Sequence, residues 1–329
     1  VRLRLLTAIL APALVLGGCV GVPPVLAPHL PNDGRDTAIE LDATPFNPQT
    51  AHQCGPAALA TVLQSSGVQV TPEDLVSRVY LPKREGSLQT ELVAATRTYS
   101  RLPYVIQPDL DALLAELRAA HPVLVLQNLG FSFYPLWHYA VVIGYLPDND
   151  AVILRSGDKR RLVMPATRFL RTWKLAGYWG LVVLRPGEFP AQPSPASYLK
   201  AAADLEMVGQ IRAAALAYAA AASRWPTEAT AWLGLGNTHY QENDLKGAED
   251  AFRRAVRVDP ASLAGWNNLA EVLAERGCFV AAISTLNSAL KRADSSDPLR
   301  SQLSQTRREI LERWPENHAA DAPECQRTD

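Results

Sequence analysis

Alternation and helical spacing mark the first half of the chain as a mixture of helices and strands. Residues 136–145 are rich in aromatic and β-branched side chains and end at Pro147, Asp148, Asn149 and Asp150, which predicts a strand closed by a turn. Alternation places His138, Ala140, Val142 and Gly144 on one face, small enough to predict a helix pressed close to the imidazole. The other face, Trp137, Tyr139, Val141, Ile143 and Tyr145, is bulky and suits a core. A returning strand over 151–155 leads into Ser156, Gly157 and Asp158. Upstream, Thr71, Pro72, Glu73 and Asp74 combine an N-cap, a first-turn proline and two acids, opening a helix to about Val79. Residues 87–99 and 109–117 carry further helical patterns, and 122–127 form a continuous apolar run ahead of Asn128, as in a buried strand. Strands over 161–164 and 178–184 complete a sheet. Helices followed by strands predict an α+β domain over 41–185.

A proline-rich stretch, 186–197, then reads as a linker between domains with separate cores. Beyond it the sequence repeats with a period of 34. Trp232, Leu235, Gly236, His239, Ala248, Phe252, Ala255 and Pro260 fall where the tetratricopeptide pattern has Trp, Leu, Gly, Tyr, Ala, Phe, Ala and Pro. One period back stand Tyr198, Ala202, Leu205, Ala214, Tyr218, Ala221 and Pro226. One period forward stand Trp266, Leu269, Ala270, Leu273, Ala282, Leu286 and Ala289. The spacing predicts helix-turn-helix units over 195–228, 229–262 and 263–296, small residues letting paired helices approach and large ones filling the space between. A charged helix over about 298–314 caps the array, so the repeat domain spans 198–314, with a tail over 315–329. The resemblance to tetratricopeptide arrays implies a concave face that docks a protein or peptide.

The chain opens with Val1, Arg2, Leu3 and Arg4, continues in an apolar run, and reaches Leu16, Gly17, Gly18 and Cys19. A basic start, a short apolar stretch and small residues before a cut describe a signal peptide over 1–18. The last four residues resemble the bacterial lipobox, which implies acylation at Cys19 and a tether over 19–40. Val20 carries no retention signal for the inner membrane, so the expectation is an envelope protein facing the periplasm, on the outer membrane rather than the inner. Formal net charge is −1 and no basic run is present, which argues against a nucleic-acid partner. The six histidines are scattered without metal-ligand spacing, so no metal or other cofactor is expected. Four cysteines are too few for a disulfide framework; Cys278 and Cys325 can form one bridge in an oxidising compartment.

The candidate chemistry centres on Cys54. Pro56 suits the first helical position, so Cys54 lies at or just before a helix N-terminus, where free N–H groups and the macrodipole favour a thiolate. Gln49 can donate to an oxyanion forming beside the sulfur, and Gln53 is a second candidate for that role. His138, at the start of its strand, is the candidate base. Asp158, or the Ser156 hydroxyl, can accept its second ring N–H and set the tautomer. Bland readings stand beside these: a buried core thiol, a satisfied core histidine, a solvated His52, and structural hydrogen bonds for Gln127 and Asn128.

Together these residues resemble the bacterial cysteine peptidases that remove double-glycine leaders from bacteriocins, and more broadly the papain-like fold. In that family a glutamine precedes a Cys-Gly pair opening a helix, a later strand begins with His and an apolar run, and the next strand ends in Asp-Pro. Gln49, Cys54, Gly55 and His138 through Val142 match in type and order, over roughly residues 40–185. Ser156 and Gly157 stand where Asp-Pro is the family pattern, with Asp158 two residues late. Either a shifted loop restores the carboxylate or the site is a Cys-His dyad. The resemblance implies a papain-like cysteine peptidase hydrolysing a peptide bond. Those peptidases belong to exporters, and this sequence has no transporter segment or nucleotide-binding motif, so bacteriocin maturation is not carried over. Two other readings use the same residues, a catalytically inactive adaptor or scaffold lipoprotein and an amidase acting on cell-wall peptides.

Overall fold

A computed structural model of the protein describes residues 24–30, 37–49, 53–314 and Cys325. The expected lipid acceptor Cys19, and His52, lie outside the described residues. The first domain runs β1 (Ile39–Glu40), α1 (Cys54–Ser65), α2 (Pro72–Val79), α3 (Gln89–Thr98), β2 (Leu102–Val105), α4 (Leu110–Arg118), β3 (Val123–Asn128), β4 (Trp137–Leu146), β5 (Ala151–Ser156), β6 (Lys159–Pro165), α5 (Ala166–Lys174) and β7 (Gly180–Leu184). Local chemistry starts the helices where the sequence predicts. The Thr71 hydroxyl accepts from the Asp74 N–H while Asp74 takes the Thr71 N–H, a reciprocal cap, and Asp109 caps α4 through the Ala112 N–H at 2.7 Å.

The strands form one antiparallel sheet in the order β2-β7-β3-β4-β5-β6, with β1 added against β4. Two elements escape the sequence pattern. β2 contains Pro103, which would interrupt a central strand but is tolerated here because β2 is an edge paired only with β7. α5 buries Ala166, Phe169 and Trp173, a helical spacing within a segment otherwise rich in charge. β1 can pair because Gly144 has no side chain: a Cβ there would lie 2.0 Å from the Ile39 carbonyl oxygen.

Helices cover both faces of the sheet. On one, Leu59, Leu63, Leu75 and Leu92 from α1–α3 pack against Leu126, Tyr139, Val141 and Ile143. On the other, Leu113, Phe169 and Trp173 pack against Val125, Ala140, Val142 and Leu154. The helix bearing Cys54 therefore lies on the bulky face of β4, not on the small face as expected. Close approach is supplied by the helix instead: Gly55, Ala57, Ala58 and Ala60 are all buried in α1.

The second domain consists of α6 (Pro195–Met207), α7 (Ile211–Arg224), α8 (Ala229–Gln241), α9 (Leu245–Val258), α10 (Leu263–Glu275), α11 (Phe279–Arg292) and α12 (Leu299–Arg313), three helix pairs and a capping helix. Small residues sit where helices meet; a Cβ on Gly234 would overlap the Tyr218 ring, and one on Gly236 the Phe252 ring. A disulfide joins Cys278, which opens α11, to Cys325 beyond α12.

The expectation of separate cores joined by a spacing linker is overturned. Tyr198, Leu199, Ala202 and Leu205 of α6 share one continuous apolar core with Leu102, Tyr104 and Leu113 of the first domain. Phe189 stacks on Tyr198 with ring centroids 4.5 Å apart, and the Arg224 guanidinium lies 4.8 Å from the Phe189 ring centroid. The Ala191 N–H donates to buried Glu116, and Ser194 N–H to the Tyr104 hydroxyl. Arg97 of α3 pairs with Asp204 of α6. Prolines here hold an extended strap against two domains rather than spacing them apart. The expected tether is also partly docked: Val25 and Leu26 both donate to the Asp150 carboxylate, and Leu26 is fully buried. Among the described residues no helix is long and apolar enough to cross a membrane.

Candidate active site

Cys54 is the first residue of α1, with Gln53 at the N-cap and Pro56 at the third helical position, still within the turn whose N–H groups lack helical partners. Glycine at 55 is required by packing: a Cβ there would lie 2.2 Å from the Ser87 hydroxyl. The segment ahead of α3 can thus press on the first turn and hold the sulfur at the start of β4.

There the sheet offers unusual backbone groups. Leu126 directs its N–H to Trp179 on the β7 side, so its partner across β3–β4, Tyr139, points its peptide groups toward β5. The β4–β5 ladder has already stopped at the Val141–Arg155 pair, because β5 turns at Gly157. The Tyr139 groups are taken instead by the site. Its N–H lies against the Cys54 sulfur, and its carbonyl accepts the Gln49 side-chain amide at 3.3 Å. Gln49 is itself pinned by its backbone N–H, which donates to the Gly157 carbonyl at 3.0 Å. An amide nitrogen carries two donors, so one remains beyond the bond to Tyr139. Gln49, Cys54 and the residue after His138 are thus brought together from three separate segments.

The Nε2 of His138 lies 2.8 Å from the Ser156 hydroxyl. Extending the β4–β5 register puts Ser156 beside Ala140, a diagonal neighbour of His138 on the same face. Asp158 would come opposite His138 only if β5 continued. Gly157, at φ +59°, instead begins a two-residue turn that pairs Ser156 with Lys159. The Asp158 carboxylate is 78% exposed and pairs with Lys159 at 3.1 Å. The contact to the imidazole therefore comes from Ser156, and the expectation of an orienting Asp158 is not met in this structure.

Burial raises the Cys54 thiol pKa; N–H groups of Tyr139, Gly55 and Cys54 itself pull it down but do not outweigh the lost solvation. Burial likewise lowers the His138 pKa. The helix N-terminus thus favours the thiolate in the expected direction, yet desolvation wins. Both shifts favour the neutral forms, thiol and imidazole, over an ion pair. Alkylation of Cys54 by iodoacetamide, which requires the thiolate, should rise with pH and reach half its maximum above the ordinary thiol value of about 8.5. A rate already flat from acid pH would show a preformed ion pair and reverse this assignment.

Gln127 and Asn128 make the structural hydrogen bonds that the sequence allows for them. Gln127 is fully buried and donates to the Thr172 hydroxyl at 2.7 Å. Asn128 ties down the β3–β4 hairpin, accepting from the N–H groups of Gly130 and Leu136 and donating to the Phe131 carbonyl. Tyr139, which meets both sulfur and glutamine, was not anticipated as a site residue. Its contribution is backbone, which leaves no signal in residue type.

Residues 41–179 match the model of the Peptidase C39-like family, and 199–262 and 237–298 match that of the tetratricopeptide repeat. The chain therefore carries a peptidase C39-like domain of α+β fold followed by tetratricopeptide repeats. Among solved structures, a protein described as a C39-like peptidase from Bacillus anthracis is 18% identical, with a TM-score of 0.38 over 46% of this chain and 98% of its own. The peptidase domain of Streptococcus ComA, a bifunctional ABC transporter of a quorum-sensing pathway, is 24% identical, with a TM-score of 0.37 over 43% of this chain and 98% of its own. Over the repeats, the type III secretion translocator chaperone SycD of Yersinia enterocolitica is 16% identical, with a TM-score of 0.35 over 37% of this chain and 88% of its own. No curated protein matches the chain significantly.

Proposed function

We propose that the protein is a lipid-anchored cysteine peptidase of the bacterial envelope, facing the periplasm, whose repeats recruit a protein or peptide. The observation that carries the catalytic part is Cys54 at the first position of α1, its sulfur against the N–H of Tyr139, the residue that follows His138, whose ring contacts Ser156. The family match supports a cysteine peptidase, and the repeat match supports protein binding. Anchoring rests on the sequence around Cys19 alone.

In this reading His138 takes the Cys54 proton as the sulfur attacks a substrate carbonyl. The oxyanion meets the Cys54 N–H and the remaining donor of Gln49. The C–N bond breaks as His138 returns its proton to the amine, leaving a thioester. Water, deprotonated by His138, then hydrolyses the thioester, and the thiol is restored. Ser156 holds the imidazole in one orientation, a part that an acid plays in related sites.

Mass mapping of Cys54 after reaction with a peptidyl epoxide, together with hydrolysis of a peptide mixture, tests the reading. An intact fold with neither adduct nor cleavage would favour the adaptor, to which the raised thiol pKa lends some support. Ser156→Ala is expected to lower kcat about 10- to 100-fold, by loosening an orienting contact to a catalytic histidine. Asp158→Asn should stay within about twofold of the parent, as is usual for an exposed turn residue. The reverse order would return the orienting role to Asp158.

A further inference from the structure

The β3–β4 hairpin is the most apolar exposed segment among the described residues. Leu129, Phe131, Phe133, Tyr134, Leu136 and Trp137 are all exposed, Phe133 by 84%. Solvent exposure on this scale costs solvation free energy and is uncommon without an occupant. The hairpin is also built to hold its shape. Leu129 N–H donates to the Leu136 carbonyl, Phe131 N–H to that of Tyr134, and the Asn128 side chain makes three backbone bonds across the base. The rings of Phe131 and Phe133 stack at 5.4 Å. At Gly130 a Cβ would lie 2.4 Å from the Tyr134 carbonyl oxygen, so glycine is needed to close the tip.

The hairpin's place in the fold tells what it faces. It runs directly into β4, where Trp137 adjoins His138 and shares a strand face with Tyr139, whose N–H meets the Cys54 sulfur. We infer that this hairpin is the specificity surface of the peptidase, binding large apolar or aromatic side chains of the peptide segment beside the scissile bond. The inference rests on the catalytic reading proposed above. Rigid aromatic side chains suit such a surface, because they give large contact area with little rotamer entropy to lose. A lipid bilayer fits the same patch less well. Between His121 and Asp150 there is no Lys or Arg to meet anionic headgroups. The N-terminal segment is moreover pinned at Asp150, at the end of β4 away from the hairpin.

The test compares two irreversible probes on the full-length protein, benzyloxycarbonyl-Phe-Ala fluoromethyl ketone and its Gly-Ala counterpart, with the adduct mapped to Cys54. The aromatic probe should react at least about tenfold faster, in line with filling an apolar subsite. The triple variant Phe131→Ser, Phe133→Ser, Tyr134→Ser should erase that ratio, whereas Met207→Ser, an equally exposed apolar change in α6, should keep it. Equal rates for the two probes, or a ratio that survives the triple change, would overturn the inference. If neither probe reacts and the fold is intact, the nucleophile reading fails. The surface is then judged by fluorescence anisotropy of a Phe-rich labelled peptide, whose binding must be lost in the triple variant for the inference to stand. Co-sedimentation with phosphatidylethanolamine–phosphatidylglycerol vesicles that depends on the three residues would reassign the surface to lipid.

Discussion

Cys54→Ala is expected to abolish peptide hydrolysis, lowering turnover by at least about a thousandfold, because no other group can form the thioester. Thermal stability should change by no more than about 1 kcal/mol, since only a sulfur is removed from a half-buried site. His138→Ala should lose turnover to a similar degree for a different reason. Its Cys54 remains able to react with iodoacetamide at alkaline pH, because hydroxide can then supply the thiolate. The pair of variants separates a missing nucleophile from a missing base. Turnover that survives Cys54→Ala would place the chemistry elsewhere in the protein.

Removal of residues 195–329 is expected to unfold the peptidase domain rather than merely to strip it of a docking module. The cut takes away Tyr198, Leu199, Ala202 and Leu205 and exposes Leu102 and Tyr104. At about 1.5–3 kcal/mol for each large side chain, the loss is on the order of 10 kcal/mol, comparable with the whole stability of a domain. Phe189 would also lose the Tyr198 ring on which it stacks, and Arg97 its partner at Asp204. A chain ending at residue 242 keeps α6, α7 and α8, whose Ala231, Trp232 and Leu235 join the shared core, and should recover folding, since the helices beyond α8 belong to a distinct core around Phe252, Leu273 and Leu286. Soluble expression and circular dichroism of the two truncations decide the point. A stable, labelled fragment ending at residue 194 would show that the shared core is not needed.

The legible parts of this protein were those written in local pattern. The period of 34 revealed the three helix pairs, because each repeat needs the same small and large residues at the same contacts. Thr71 marked its helix start because capping is settled within four residues. Gln49, Cys54 and His138 were recognisable by type and order, and the apolar runs around them signalled strand and helix.

What no local pattern held was decided by pairing and packing at long range. The sequence by itself determined that Ser156 and Asp158 were both within reach of the imidazole. The β5–β6 turn at Gly157 then brought Ser156 to His138 and sent Asp158 into solvent. Composition alone marked residues 186–197 as a linker; only the shared core, with Phe189 seated on Tyr198, made them a strap. The thiol offered the same lesson in electrostatics. A helix start stabilises a thiolate wherever it occurs, but how far burial opposes it depends on which residues the fold places around the sulfur. Chain order supplied the groups of this site, and sheet register together with burial decided their partners and their charge.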